Sequence, residues 1–158
     1  MSDMQWLDAI HIGDTFSSPN WVEMTAEAIV NYATVFDPQP GHLSEELALD
    51  TPFKGLAASG WHTAAVTMKL LTSLGLNESI GLSTTVTWPT PTRPGDRLKL
   101  SGRVTGKRPS KSKPGHAIIE LDYETVNQDG EVRQRTQTTM LASYLVIPLG
   151  REGQESSM

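Results

Sequence analysis

Residues 57–74, AASGWHTAAVTMKLLTSL, constrain the fold more than any other stretch. From Ser59 to about Leu74 the residues are good helix formers, and Ser59 is a fair N-cap. Trp61, Ala64, Ala65, Met68, Leu71 and Leu74 trace one wide stripe. Ala57, Ala58, Val66 and Leu70 carry apolar character round most of the circumference. A helix apolar nearly all round is a buried helix. At about 1.5 Å per residue it would be roughly 24 Å long. Something else in the chain must wrap it.

The second half supplies the wrapping. LSTTVTWP alternates Leu82, Thr84, Val86 and Trp88, and DRLKLSGRVTG alternates Leu98, Leu100, Gly102 and Val104. HAIIELDYETV alternates Ala117, Ile119, Leu121 and Tyr123 against acidic residues, and EVRQRTQTTMLASYLVIP reads as a long final strand. Period two marks a sheet buried on one face. RPGD (93–96) and NQDG (127–130) are turn sequences, and KRPSKSKPG (107–115) is a longer basic loop. Upstream, residues 14–23 form an extended opening interrupted by Pro19. Thr25 can cap a helix over AEAIVNYATVF, with Ile29, Tyr32, Ala33 and Phe36 on its apolar face. That helix must stop near Phe36, because Asp37 precedes a proline. A short helix over Ser44 to about Leu49 follows. The expected class is α+β: one hotdog domain over 1–158, an antiparallel sheet wrapped around a long central helix. Its core runs from about 13 to 147, with 148–158 as a flexible tail. The sheet edges need cover, which predicts a homodimer or higher homo-oligomer.

The 158 residues suit one domain with one core. The net charge of −5 argues against nucleic-acid binding, which needs a basic face. With no cysteine, disulfides and thiolate metal sites are excluded. No basic start followed by an apolar run opens the chain, and no apolar stretch approaches the roughly 18 residues of a membrane span. The expectation is a cytoplasmic protein with neither membrane nor nucleic-acid partner. No His/Asp/Glu cluster has metal-ligand spacing, and no Walker or Rossmann loop is present, so neither a metal nor a cofactor is expected.

In FDPQPGHLSEE (36–46), Asp37 and His42 are five residues apart across a stiff connector. A carboxylate and an imidazole held together can position one water and move its proton. An aspartate before proline is also an ordinary turn starter. In LAASGWHT, Gly60 opens the long helix, whose first backbone N–H groups lack internal partners and can hold an oxygen that becomes negative. Glycine there could equally do no more than relieve crowding. Together the two elements supply a water-handling pair and an oxyanion donor, the parts for adding water across a double bond conjugated to a carbonyl.

The stretch FDPQPGHLSEELALDTPFKGLAASGWHTAAVTMKLL resembles the hydratase motif of MaoC-like dehydratases and (R)-specific enoyl-CoA hydratases. Asp37 and His42 stand at the family spacing, Gln39-Pro40 replaces the usual Asn-Pro, and Phe53, Gly55 and Gly60 match the later part. TWPTPTRPGDRL resembles the family's strand–PGD–strand segment. The resemblance implies an acyl-CoA hydratase/dehydratase of fatty acid metabolism, with a coenzyme A thioester as substrate and no cofactor. Asp37 and His42 would hold the catalytic water and the Gly60 N–H the thioester carbonyl. Ser59, Trp61 and Gly55 would contact substrate. Ser59 and Trp61 depart from the usual His and Met around that glycine. Gly41 and Met68 also depart from it, and these changes bear on the acyl group. A hotdog thioesterase or a non-catalytic acyl-thioester binder are the alternatives. His62 reads as a structural histidine, and His11 and His116 as surface or strand residues. Lys107, Arg108, Lys111, Lys113 and Arg93 form a solvated basic set that could meet coenzyme A phosphates.

Overall fold

The computed structural model describes residues 4–76, 78–145 and 147–150. Helix α1 (Gln5–Asp8) precedes two short strands, β1 (Thr15–Ser17) and β2 (Val22–Glu23). Helices α2 (Ala26–Phe36), α3 (Pro40–Leu43), α4 (Glu45–Ala48) and α5 (Gly60–Thr72) follow. Strands β3 (Ser79–Thr87), β4 (Arg97–Pro109), β5 (Ala117–Val126) and β6 (Val132–Ala142) complete the described elements. The sheet is antiparallel with order β1-β4-β5-β6-β3, and β2 also pairs with β4. It curls around α5, as the strand periodicity predicts.

The core is the inner face of that sheet. Leu98, Leu100 and Val104 of β4, Ile119 and Leu121 of β5 and Met140 of β6 are buried with Val66, Leu70, Leu71 and Leu74. Each such side chain contributes on the order of 1.5–3 kcal/mol when taken fully out of water. Thr25 caps α2, its hydroxyl accepting the Ala28 N–H, and Ser59 caps α5 through the Trp61 N–H.

The buried face of α5 is not the expected one. His62, Thr63, Val66, Thr67, Leu70 and Leu71 are buried, whereas Trp61 is 62% and Met68 48% exposed. The threonines go inward because they find partners there. Thr67 Oγ1 donates to the Thr63 carbonyl (2.8 Å) and lies 2.7 Å from Thr125 Oγ1. Thr63 Oγ1 lies 2.9 Å from Thr92 Oγ1. A hydrogen-bonded hydroxyl is tolerated inside, so the sheet selects the helix face that can be satisfied.

Four more expectations shift. Phe36 is exposed rather than packed inward, with its ring against Tyr32. The Asp37–His42 connector holds a helical turn, α3, with Pro40 at its first position, where a missing N–H costs nothing. Strand β3 does not cover α5. It is the sheet edge, paired with β6 alone, and Leu82, Ile80 and Trp88 remain exposed. The segment read as a tail starts tied down: Thr15 and Gly150 exchange backbone hydrogen bonds of 2.7 and 2.8 Å. Its remainder, 151–158, lies outside the described residues.

Candidate active site

Asp37 is the C-cap of α2, where the chain leaves the helix with φ −152° and ψ 69°. His42 rides on α3 immediately beyond, and its N–H donates to the Gln39 carbonyl. These turns bring the two side chains together. His42 Nε2 is 3.6 Å from Asp37 Oδ2. That separation is too long for a hydrogen bond, so neither atom consumes the other's lone pair.

Each partner is oriented from behind. His42 Nδ1 lies 2.7 Å from the Ala57 carbonyl oxygen. A carbonyl only accepts, so Nδ1 carries hydrogen and the neutral ring keeps its lone pair on Nε2. Phe53 packs against the imidazole with centroids 5.1 Å apart. Asp37 Oδ2 accepts the Ser59 hydroxyl at 2.6 Å, and Oδ1 accepts the Gln39 side-chain amide at 2.5 Å. The Ser59 bond, then the Gln39 bond, hold the Asp37 carboxyl below the usual carboxylate range; burial opposes them, and a proton on His42 adds to them once the ring takes one up. The pair is thus an ionised carboxylate facing an imidazole lone pair.

Gly60 joins them. Its residue and His42 line one cavity of about 170 Å³, with Phe53, Trp88, Thr92 and Arg133 in the wall. The next amides are occupied: Trp61 N–H reaches Ser59 Oγ, and the His62 and Thr63 N–H groups reach the Ser59 carbonyl. Among the described residues no acceptor is found for the Gly60 N–H. A Cβ at Gly60 would stand 2.7 Å from the Trp88 indole, so glycine lets that ring cover the helix start. Trp88 is held by its Nε1–H to Gln134 Oε1 at 2.9 Å and meets Trp61 edge-on at 5.3 Å.

The other expected site residues fall elsewhere. Ser59 is fully buried and faces Asp37, so it positions the carboxylate rather than touching a ligand. Trp61 does not line the cavity; it is exposed and meets the wall residue Trp88 edge-on. Gly55 does not line the cavity. Its carbonyl accepts Arg93 Nη1 at 2.9 Å, and Arg93 Nη2 reaches the Phe53 carbonyl at 2.5 Å. Glu45 Oε2 accepts the Leu56 N–H from the other side. Arg93 is therefore spent on the loop that carries Ala57 and Ala58, not presented to phosphates. At Gly41 the Phe53 ring fills the space that a Cβ would take, 2.5 Å from that position. The basic loop begins at the far end of β4, roughly 40 Å along the strand from Asp96. His62 is buried against Tyr32, rings stacked at 4.6 Å, but its Nδ1 has no partner among the described residues.

Sequence reasoning missed Trp88 and Arg133. Arg133 donates through Nε to Asp96 Oδ2 at 2.9 Å and through Nη2 to Oδ1. Burial pushes the Asp96 carboxyl up, but hydrogen bonds from Arg133, the Arg93 backbone and Asn127, with the Arg133 charge, leave it below its ordinary value. Asp96 belongs to the PGD turn, the one signal that could have pointed here. A larger hollow of about 880 Å³ lies on the outer sheet face among Ser101, Arg103, Asp122, Glu124 and Arg135. It includes neither Asp37 nor His42, and its charges balance. Among the described residues no group of three or more His, Asp or Glu side chains could hold a metal ion, and no helix is long and apolar enough to cross a membrane.

Known proteins are similar to this chain in sequence and fold. The family model described as MaoC like domain matches residues 9–126. The crystal structure of a MaoC-like dehydratase from Rhodospirillum rubrum is similar with 46% identity and a TM-score of 0.81, covering 87% of this chain and 95% of that one. The uncharacterized protein YdeM of Bacillus subtilis is 31% identical over 126 residues, 77% of this chain and 87% of its own. An (R)-hydratase from A. caviae involved in PHA biosynthesis has a TM-score of 0.67 at 22% identity, covering 84% of this chain and 96% of that one, a likeness of fold alone.

Proposed function

The chain belongs to the MaoC-like domain family, and from that premise we propose that it is a hydro-lyase interconverting a trans-2-enoyl-CoA plus water with an (R)-3-hydroxyacyl-CoA. One observation carries the reading: Asp37 and His42 converge without bonding each other, and His42 lines the same cavity as Gly60, the first residue of α5. In hydration, water is held between the Asp37 carboxylate and His42 Nε2. The imidazole takes one proton as the oxygen bonds to C3, and the double-bond electrons shift toward the thioester oxygen. The Gly60 N–H stabilises that oxygen, in the way a preorganised donor lowers a barrier. The proton then returns to C2 as the carbonyl re-forms, so the overall reaction adds one water and needs no cofactor.

The proposal includes a homodimer in the cytoplasm. Trp61 and Met68 on the outer face of α5 and Leu82 on the edge strand β3 are large apolar side chains left exposed in one chain. A second copy along β3 would bury them and pair the strand edge. Light scattering should give twice the mass of one chain.

The direct experiment offers purified protein a crotonyl-CoA solution with a thiol probe present. Absorbance of the conjugated thioester should fall without thiol release. Thiol release at unchanged conjugation would make the protein a thioesterase. Binding without either change would make it a carrier or sensor.

A further inference from the structure

The wall of the 170 Å³ cavity is donor-rich, and its donors are not all used. Thr63 and Thr92, both buried, share one hydrogen bond between their hydroxyls. Two hydroxyls bring two protons, so one lies between the oxygens and the other has no acceptor among the described residues. Arg133, equally buried, has five N–H groups. Nε and one Nη2 hydrogen go to Asp96, one Nη1 hydrogen goes to Thr90 Oγ1, and Glu131 Oε2 stands 3.6 Å from Nη1. The second Nη2 hydrogen has no acceptor among the described residues. Thr90 itself is satisfied, since its hydroxyl donates to the Val132 carbonyl at 2.7 Å.

A purely alkyl chain placed there would strand these hydrogens in a dry pocket, which costs free energy. An oxygen on the chain would accept them. The charge is already neutralised, because Asp96 faces the guanidinium at 2.9 Å. The pocket therefore offers hydrogen-bond donors without a net positive field. Its volume holds on the order of six water-sized groups, and Trp88 and Phe53 set its walls.

Resting on the hydratase reading above, we propose that the cavity selects a short acyl chain bearing a neutral acceptor oxygen, an ether, ester or keto group beyond C3, over a plain alkyl chain. The Thr63–Thr92 hydroxyl pair and Arg133 are its specificity-determining residues.

The test uses the full chain and three enoyl-CoA thioesters of like length: trans-2-hexenoyl, 4-methoxybut-2-enoyl and glutaconyl. The methoxy compound differs from hexenoyl by one oxygen in place of a methylene. Its kcat/KM should exceed that of hexenoyl by about tenfold, the value of one good hydrogen bond, and should exceed that of the charged glutaconyl ester. Thr92→Val keeps the shape and removes the hydroxyl, so it should bring the methoxy-to-hexenoyl ratio toward one, and Thr92→Ser should restore it. An inductive effect of oxygen on intrinsic reactivity would leave that ratio unmoved by Thr92→Val, and such a result overturns the inference. So does a hexenoyl ester turned over as fast as the methoxy ester, or glutaconyl ahead of both, while the hydratase reading survives. No hydration of any of the three would overturn the hydratase reading, and the selectivity with it.

Discussion

The two halves of α5 are built for different purposes. Beyond Thr67 the buried side chains are Leu70, Leu71 and, just past the helix, Leu74, all packed on the apolar inner sheet. In the first two turns they are His62, Thr63, Val66 and Thr67, polar but for Val66, with the Ser59 cap in front. The apolar half needs only shape. The polar half needs a partner for each group, and it keeps several groups without one among the described residues: the Gly60 N–H, one hydroxyl hydrogen of the Thr63–Thr92 pair, and His62 Nδ1. Unmet polar groups destabilise a fold, and a fold keeps them where a ligand or a reaction uses them.

The comparison breaks if a change at the polar end harms stability more than chemistry. Asp37→Asn keeps the shape and the Ser59 contact, so unfolding temperature should move little. Enoyl hydration should drop about 10²–10⁴-fold, the range expected for loss of a proton-handling group. At the apolar end Leu71→Ala should do the reverse, costing about 2–5 kcal/mol in urea unfolding while kcat/KM of the folded protein stays within a few-fold. Ser59→Ala sharpens the contrast. Loss of the hydroxyl bond to Asp37 should lower kcat/KM by roughly tenfold or more. Because that bond holds the carboxyl low, its loss should also move the acidic limb of the pH–rate profile to higher pH. A purely structural serine would lower the amount of folded protein and leave the limb in place.

The smallest effect concerns His62. Burial lowers its proton affinity in the folded state. The unfolded chain then takes up a proton first as pH falls through the ordinary value of about 6.5. Its contribution to stability is full above that value and is lost below it, until the folded form also protonates. His62→Phe keeps the stack on Tyr32 and should flatten this part of the curve of unfolding temperature against pH. An unchanged curve would show that His62 does not carry it.

Period two in Leu98/Leu100 and Ala117/Ile119/Leu121 was legible because a sheet face is a local alternation that the structure keeps. The start of α5 at Ser59 and the stop of α2 before Pro38 were legible because capping and proline geometry are local too. The phase of α5 was not. A helix apolar nearly all round fits more than one buried face, and the choice was made by Thr92 and Thr125, far away in sequence. Asp37 and His42 could be named from their spacing, but the Ala57 carbonyl and Ser59 hydroxyl that orient them could not be assigned those tasks. Trp88 over Gly60 and Arg133 on Asp96 are likewise long-range pairings that no window of sequence contains.

A double-mutant cycle on Asp37→Asn and His42→Ala, read as kcat/KM for enoyl-CoA hydration, tests the account most directly. Two groups acting on one water form a unit, so the double variant should be no more than a few-fold slower than the slower single. Losses that multiply, or a single variant with full activity, would show that the two side chains do not share a task and would contradict the account.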